Sequence, residues 1–293
     1  MSETARPDQR AGWKPLEVAD FPAAIALLCE GFPERGADFW THALARLQEF
    51  AGNHEAGTPL GLLMLDGNEP VGIALTPASL RRQRDGGTER LVNVSSWYVR
   101  PSYRWRAALM LRHLFADRNA TFTDLTPTPE VQKMLPAFGF RPVNRGLVLR
   151  LLAVHALAPA RGFSIRRLAG AWPALIEGPT PATLESHRRL GCEAFLVEGP
   201  RATGLVVVRR QRFRGLPGAR LVYADSHALM RAAFGPLARA LLGRGYLMLA
   251  EDAREPADAA GGLFRPHGIW FARNGNFTDR TDLLGSELCL FNL

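Results

Sequence analysis

Lysine is nearly absent from the 293 residues: Lys14 and Lys133 are the only two, and arginine carries almost all the positive charge. Cysteine is scarce as well. Cys29, Cys192 and Cys289 are far apart, odd in number and outside any CxxC or zinc spacing, which excludes a disulfide framework and a cysteine-based zinc centre. Each sits among apolar neighbours, as buried thiols do, and such usage suits a reducing cytosol, so a cytoplasmic location is expected. Long apolar runs are missing, and no stretch approaches the length of a membrane-spanning helix. Residues 1–12 open polar and contain Pro7, which reads as a disordered segment rather than a secretion leader. The histidines, His113 and His267 among them, have no partner at metal-ligand spacing, so no metal is expected.

What is present is an ordinary globular composition, 47% hydrophobic, with a net charge of +8 and a pI of about 10.2. Up to residue 160 there are 18 basic against 16 acidic residues, and beyond it 18 against 12. The basic excess therefore lies mostly in the second half. Such a surface attracts nucleic acid, anionic lipid or phosphorylated ligands; an arginine-rich composition alone produces the same charge.

The chain is organised around residues 90–140. Leu91 to Val99 mixes β-branched and aromatic residues and reads as a strand. Pro101 stops pairing for want of an N–H, and from Ser102 to Phe115 apolar residues recur at helical spacing. A short strand, Ala120 to Leu125, and a helix, Glu130 to Phe138, follow, with Gly139 in place to end the helix. Strand, helix, strand, helix in so short a span is a parallel crossover unit. A helix start flanked by Arg100, Arg104 and Arg106 suits a phosphate.

Val99, Pro101, Tyr103 and Arg104, with the closing Gly139-Phe140, resemble the donor motif of the GNAT superfamily, the acyl-CoA-dependent N-acyltransferases. The match narrows to bacterial two-part acyl-CoA acyltransferases through Ser96 to Pro101, the Leu125 to Pro129 turn, Gly191-Cys192, Arg220 to Tyr223 and Arg280 to Leu288. The resemblance implies acetyl-CoA or another acyl-CoA as co-substrate and a small-molecule or peptide amine as acceptor. It implies that the backbone of Trp97, Tyr98 and Val99 pairs with the pantetheine amides, and that Arg104, Trp105, Arg106, Ala107, Ala108 and Leu109 meet the diphosphate. Two departures stand out. Ala107 and Leu109 occupy the two small positions of the diphosphate loop, and Leu135 stands where the family often has a tyrosine acid.

Acyl transfer to an amine needs a base for the ammonium and an acid for the departing thiolate. Asp124 ends a parallel strand, where ligands bind in open sheets, and is the carboxylate base candidate. Asn93 and Ser95 alternate with Val94, so one polar face can look into the cleft; Ser95 is a candidate to orient the acceptor or relay a proton. Tyr98 is the candidate substitute acid. Asp225, Ser226 and His227 are adjacent, and neighbours on a strand point to opposite faces, which argues against a triad.

The order of elements predicts an α/β (α+β) chain of tandem GNAT-like units, with mixed central sheets flanked by helices. The expected divisions are a donor-binding unit at 13–153, a linker at 154–162 and a degenerate second unit at 163–293. Residues 81–90 read as a charged hairpin tip. Two further readings remain open: Fem-like transfer of an amino acid from charged tRNA, suggested by the altered loop and the basic second half, and a non-catalytic acyl-CoA-binding or scaffold protein.

Overall fold

The computed structural model describes residues 12–54, 59–83, 85–170, 177–266 and 268–291. Residues 1–11 of the segment expected to be disordered lie outside the described residues, as does His267, while Gly12, the last residue of that segment, opens a strand. Strand β1 (Gly12–Pro15) leads into helices α1 (Phe21–Gly31) and α2 (Ala37–His54). Pro22 stands in the first turn of α1, where a missing N–H costs nothing. Helix α2 buries Trp40, Leu44, Leu47 and Phe50 on one face.

The hairpin of β2 (Gly61–Asp66) and β3 (Glu69–Leu75) turns at Gly67, whose φ of 60° needs glycine's freedom. After Pro77 come β4 (Ala78–Arg82) and β5 (Thr88–Asn93), an antiparallel hairpin whose strands take in Arg81, Arg82 and Thr88 to Arg90 of the charged stretch. Strand β6 (Ser95–Val99) is separated from β5 by Val94; the sequence predicts a single strand here. A 3-10 turn over Pro101–Arg106 precedes α3 (Ala107–Leu114), then β7 (Thr121–Asp124) and α4 (Pro129–Met134) follow. Pro136 converts the end of the expected helix to a 3-10 turn, which Gly139 closes at φ 83°.

Strands β8 (Arg141–Pro142) and β9 (Gly146–Leu151) lead to α5 (Leu152–Ala156). The second half runs β10 (Ser164–Leu168), β11 (Gly178–Pro179), α6 (Pro181–Arg189), β12 (Cys192–Glu198), β13 (Thr203–Phe213) and β14 (Leu216–Ala224). Helices α7 (His227–Ala232) and α8 (Phe234–Leu242) are separated by Ala233. Strands β15 (Met248–Ala253), β16 (Leu263–Pro266), β17 (Phe271–Arg273) and β18 (Thr281–Asp282) precede α9 (Glu287–Leu290).

The sheet orders reveal two copies of one plan. The second half forms β10-β12-β13-β14-β15-β9-β16. The first half follows the same sequence of strands but is split into β1-β2-β3-β6 and β11-β4-β5-β7-β17-β8. In each copy a parallel pair stands at the centre, β5 with β7 and β14 with β15.

The two halves exchange a strand. Strand β9, which the sequence places at the end of the first unit, lies between β15 and β16 of the second half, antiparallel to both. In return β17 lies between β7 and β8 of the first half. The segment 154–162, expected as a linker, begins inside α5, which packs on α8, and the sheets on either side interlock through the exchanged strands. A strand's periodicity shows that it pairs but not with which sheet.

Arg81 ties the halves together. Its guanidinium is 2% exposed and meets the Asp282 carboxylate at 2.5 and 2.7 Å, a bidentate pair. Arg81, expected in a charged hairpin tip, is thus spent inside the fold. Replacing Asp282 by Asn strands a buried cation, and the expected loss is about 3–5 kcal/mol of stability. A urea midpoint unchanged in Asp282→Asn would contradict this.

Candidate active site

The site forms where the two first-half sheets part. Strand β5 pairs in parallel with β7 through Leu91 with Thr121, Val92 with Phe122 and Asn93 with Thr123. One more bond, from the Val94 N–H to the Thr123 carbonyl at 2.7 Å, ends the ladder. Beyond it β6 stays with β3 while β7 stops at Asp124. The register of β6 opposes Ile73 to Tyr98 and Leu75 to Ser95, so Ala74 faces both Ser96 and Trp97. That is a bulge, and Ser96 takes the left-handed φ of 48° to make it. Among the described residues no strand pairs with the outer edge of β6.

The V between β6 and β7 is a cavity of about 420 Å³. Val94, Ser95, Ser96 and Trp97 form one wall and Asp124, Thr126 and Thr128 the other. Phe32, just past the end of α1, and Phe39 and Trp40 of α2 roof it, and Glu287 and Leu288 close it from α9. The Ser95 and Ser96 hydroxyls are 3.2 Å apart. Asp124 and Ser95, chosen from sequence, are brought together here. Glu287 was not foreseen; its only sequence signal is a carboxylate inside the apolar run Leu283 to Phe291.

Two buried carboxyls meet at this point. Glu287 is 1% exposed and accepts hydrogen bonds from Thr126 Oγ1 at 2.9 Å and from Asn93 Nδ2. Asn93 in turn accepts from Thr123 Oγ1 at 3.1 Å. Burial pushes the Glu287 pKa above the usual carboxylate range, against these hydrogen bonds. Burial pushes Asp124 well above its ordinary value, and the negative charge of Glu287 pushes it further the same way. Only the Thr126 backbone N–H opposes that shift. Each carboxyl of the pair therefore binds a proton more tightly than it would in water.

The remaining candidates fall elsewhere. Tyr98 is turned away from this cavity: a Cβ built on Gly31 of α1 would meet its ring at 2.4 Å, and the ring packs against the α1–α2 core. Tyr98→Phe is expected to keep acyl-transfer activity within about twofold, since only a phenol outside the cleft is lost; a loss of a hundredfold would restore it as the acid. Leu135 is 1% exposed in the first-half core, so no acid replaces the tyrosine at that position.

The diphosphate loop departs most. A glycine-rich loop would leave amides free at a helix start, but residues 101–106 coil into a 3-10 turn that consumes them. The Tyr103 N–H bonds Arg100 and the Ala107 N–H bonds Arg104. Arg106 pairs with Asp66 at 3.7 Å and lies over the Trp105 ring at 4.6 Å. Arg104 and Ala108 are exposed, Ala107 is half-buried, and Trp105 and Leu109 present apolar surface to solvent.

The second half has the matching fork, between β14 and β15, and it is filled. After Arg220 pairs with Ala250, the outer edge of β14 is taken by β18, with Tyr223 opposite Asp282 and Ala224 opposite Thr281. Asp225, Ser226 and His227 do not form a triad. Asp225 accepts from Tyr223 and the Leu205 N–H, Ser226 donates to Asp279, and His227 bonds Thr281. Cys192 and Cys289 are buried thiols in the second-half core. Among the described residues no cluster of three metal-ligating side chains occurs, and no helix is long and apolar enough to cross a membrane.

No family model and no curated protein matches the chain. Solved structures do. A GCN5-related N-acetyltransferase from Anabaena variabilis superposes with a TM-score of 0.61 at 10% identity, over 90% of this chain and 72% of its own. A putative acetyltransferase from Pyrococcus horikoshii gives 0.53 at 15% identity, over 97% and 96%. Eis1 from Mycobacterium abscessus gives 0.53 at 16% identity, over 89% and 73%. The split central sheet, the parallel pair that opens into a cleft and these superpositions agree: the chain has the fold of the GCN5-related N-acetyltransferases.

Proposed function

We infer that this chain transfers an acyl group from an acyl-CoA thioester to an amine, in the first-half cleft. The observation that carries this reading is the unpaired outer edge of β6 beside a buried carboxyl pair. An extended donor arm adds to such an edge as a strand would, its amides bonding the backbone at Trp97 to Val99. Acetyl-CoA is the simplest donor of this shape.

Each side chain then has a task. Asp124, its proton affinity raised by burial and by the charge of Glu287, takes in its ionised form the proton of the incoming ammonium and frees the amine. The amine attacks the thioester carbonyl, the tetrahedral oxyanion meets backbone N–H groups of the β6 bulge, and the thiolate leaves. Ser95 and Ser96, hydroxyls in the cavity wall, can relay the second proton of the attacking nitrogen to the departing sulfur. Glu287 adds its charge to burial in raising the proton affinity of Asp124. Arg104 supplies charge near the donor's phosphates, while the wound 101–106 turn offers no amide cradle.

That turn favours one competing reading, a non-catalytic acyl-CoA-binding protein. Steady-state release of CoA thiol, followed with acetyl-CoA and longer acyl-CoAs over a panel of amines, separates the two. Amine-dependent release is expected. Acyl-CoA binding without release under any acceptor would leave the binding protein, and no binding at all would direct attention to charged tRNA as donor.

A further inference from the structure

We propose that a cavity beside the two exchanged strands binds the phosphate group of a small phosphate ester. The cavity measures about 610 Å³ and shares no lining residue with the transfer cleft. Three segments of chain meet there. Residues 141–145 run from β8 of the first-half sheet into β9 of the second-half sheet. Arg254 follows β15, and residues 274–278 follow β17.

The lining is cationic and holds no carboxylate. Elsewhere in the fold arginines meet acids: Arg81 has Asp282, Arg100 has Glu30 and Glu69, and Arg150 has Glu251. Arg141 and Arg145 line this cavity, are exposed, and make no side-chain hydrogen bond or ion pair among the described residues. Arg254 donates to the Phe277 carbonyl at 2.5 Å and meets no acid. The neighbouring acids are occupied: Glu255 and Asp258 bond each other's backbone N–H groups, and Asp279 accepts from Ser226 and the Ala228 N–H. Three guanidinium groups around one cavity repel one another, and an anion among them reverses that cost.

The frame is fixed before any ligand arrives. Arg141 stands opposite Ala272 in the β8–β17 pair, and the Arg145 N–H bonds the Ala253 carbonyl at 2.8 Å, which seats Arg145 beside Arg254. Asn274 takes a φ of 66°, and its Nδ2 donates to the Arg118 and Ala120 carbonyls at 3.1 and 3.0 Å. Gly275 lies so close to the sheet that a Cβ would meet Thr121 at 2.6 Å. The backbone N–H groups of Gly275, Asn276 and Phe277 donate to no acceptor among the described residues. Successive free amides in a turn are a second source of anion-binding donors.

The charge selects the ligand. A carboxylate brings one negative charge, whereas a phosphate monoester brings about −1.5 to −2 and three acceptor oxygens on one atom. Guanidinium forks pair with such oxygens two at a time. The cavity is of the size that holds a small organic molecule, so the phosphate arrives on a body that lies against Pro142 and Val143.

Calorimetry on the intact protein at fixed ionic strength tests the site, with inorganic phosphate and glucose 6-phosphate as probes and glucose and citrate as controls. The two phosphates should bind, citrate roughly tenfold more weakly, and glucose not at all. Arg141→Gln and Arg145→Gln should each weaken glucose 6-phosphate by roughly tenfold or more, while Arg104→Gln in the donor turn and saturating CoA leave it unchanged. Both cavity arginines are exposed, and an unchanged melting temperature checks that the variants fold. No heat with either phosphate, or citrate binding as tightly, overturns the assignment on the wild-type protein alone. A loss in Arg104→Gln equal to that in Arg141→Gln, or displacement by CoA, would put the phosphate in the donor site and overturns it too.

Discussion

Asp124→Asn lowers the rate of acyl transfer by about a hundredfold or more while acyl-CoA still binds, because a general base contributes roughly 10²–10⁴ to the rate. The amide keeps the shape of the side chain and removes only its capacity to take a proton. Activity of the wild type should rise with pH along a limb well above the ordinary carboxylate range, since Asp124 must ionise against burial and the Glu287 charge. Glu287→Gln deletes that charge, so the limb moves to lower pH and the rate on the plateau is largely kept. A limb unmoved in Glu287→Gln would separate the two carboxyls and contradict their coupling.

The same pair makes a statement about stability. Folding raises both pKa values, so the folded state binds more protons than the unfolded chain once pH exceeds the unfolded carboxyl values. Their contribution is fully present below those values and is lost as pH rises through the folded ones. Asp124→Asn should therefore stabilise the protein toward alkaline pH and lose that advantage in acid. Melting temperatures of the two proteins across pH settle the sign.

Fragments 1–160 and 161–293, expressed apart, show no cooperative unfolding transition. The first lacks β17, leaving β7 and β8 without the strand that joins them; the second lacks β9, leaving β15 and β16 apart. Each fragment would expose a sheet edge and the apolar face behind it. Arg81 would also lose Asp282. Co-expression restores both strands and should return a folded complex. A lone fragment that melts cooperatively near the temperature of the intact chain would contradict the exchange.

What the residues disclosed and what they hid follows a physical line. Asp124 was legible because a carboxylate at the end of a parallel strand sits at the mouth of a sheet whatever its partners are. The run from Leu91 to Val99 reads as one strand because every residue in it favours extended backbone. Its break at Val94 arises from two sheets diverging, which local preference does not encode. Strand β9 was legible as a strand, yet its sheet was not, since pairing across more than a hundred residues leaves no mark on period. The diphosphate turn was half legible: Ala107 and Leu109 signalled that the loop lacks its small residues, but not that the chain would wind into a 3-10 turn instead. Glu287 was hidden because nothing local links a four-residue helix near the end of the chain to a strand ending at Asp124.

Hydrogen–deuterium exchange with and without acetyl-CoA tests the central claim most directly. The donor is held to lie along β6 in the first-half fork, while the second-half fork is filled by β18. Slowed exchange confined to residues 95–99 and 121–128, with 221–226 unchanged, is the expected result. Protection at 221–226, or none at 95–99 under saturating donor, would contradict it.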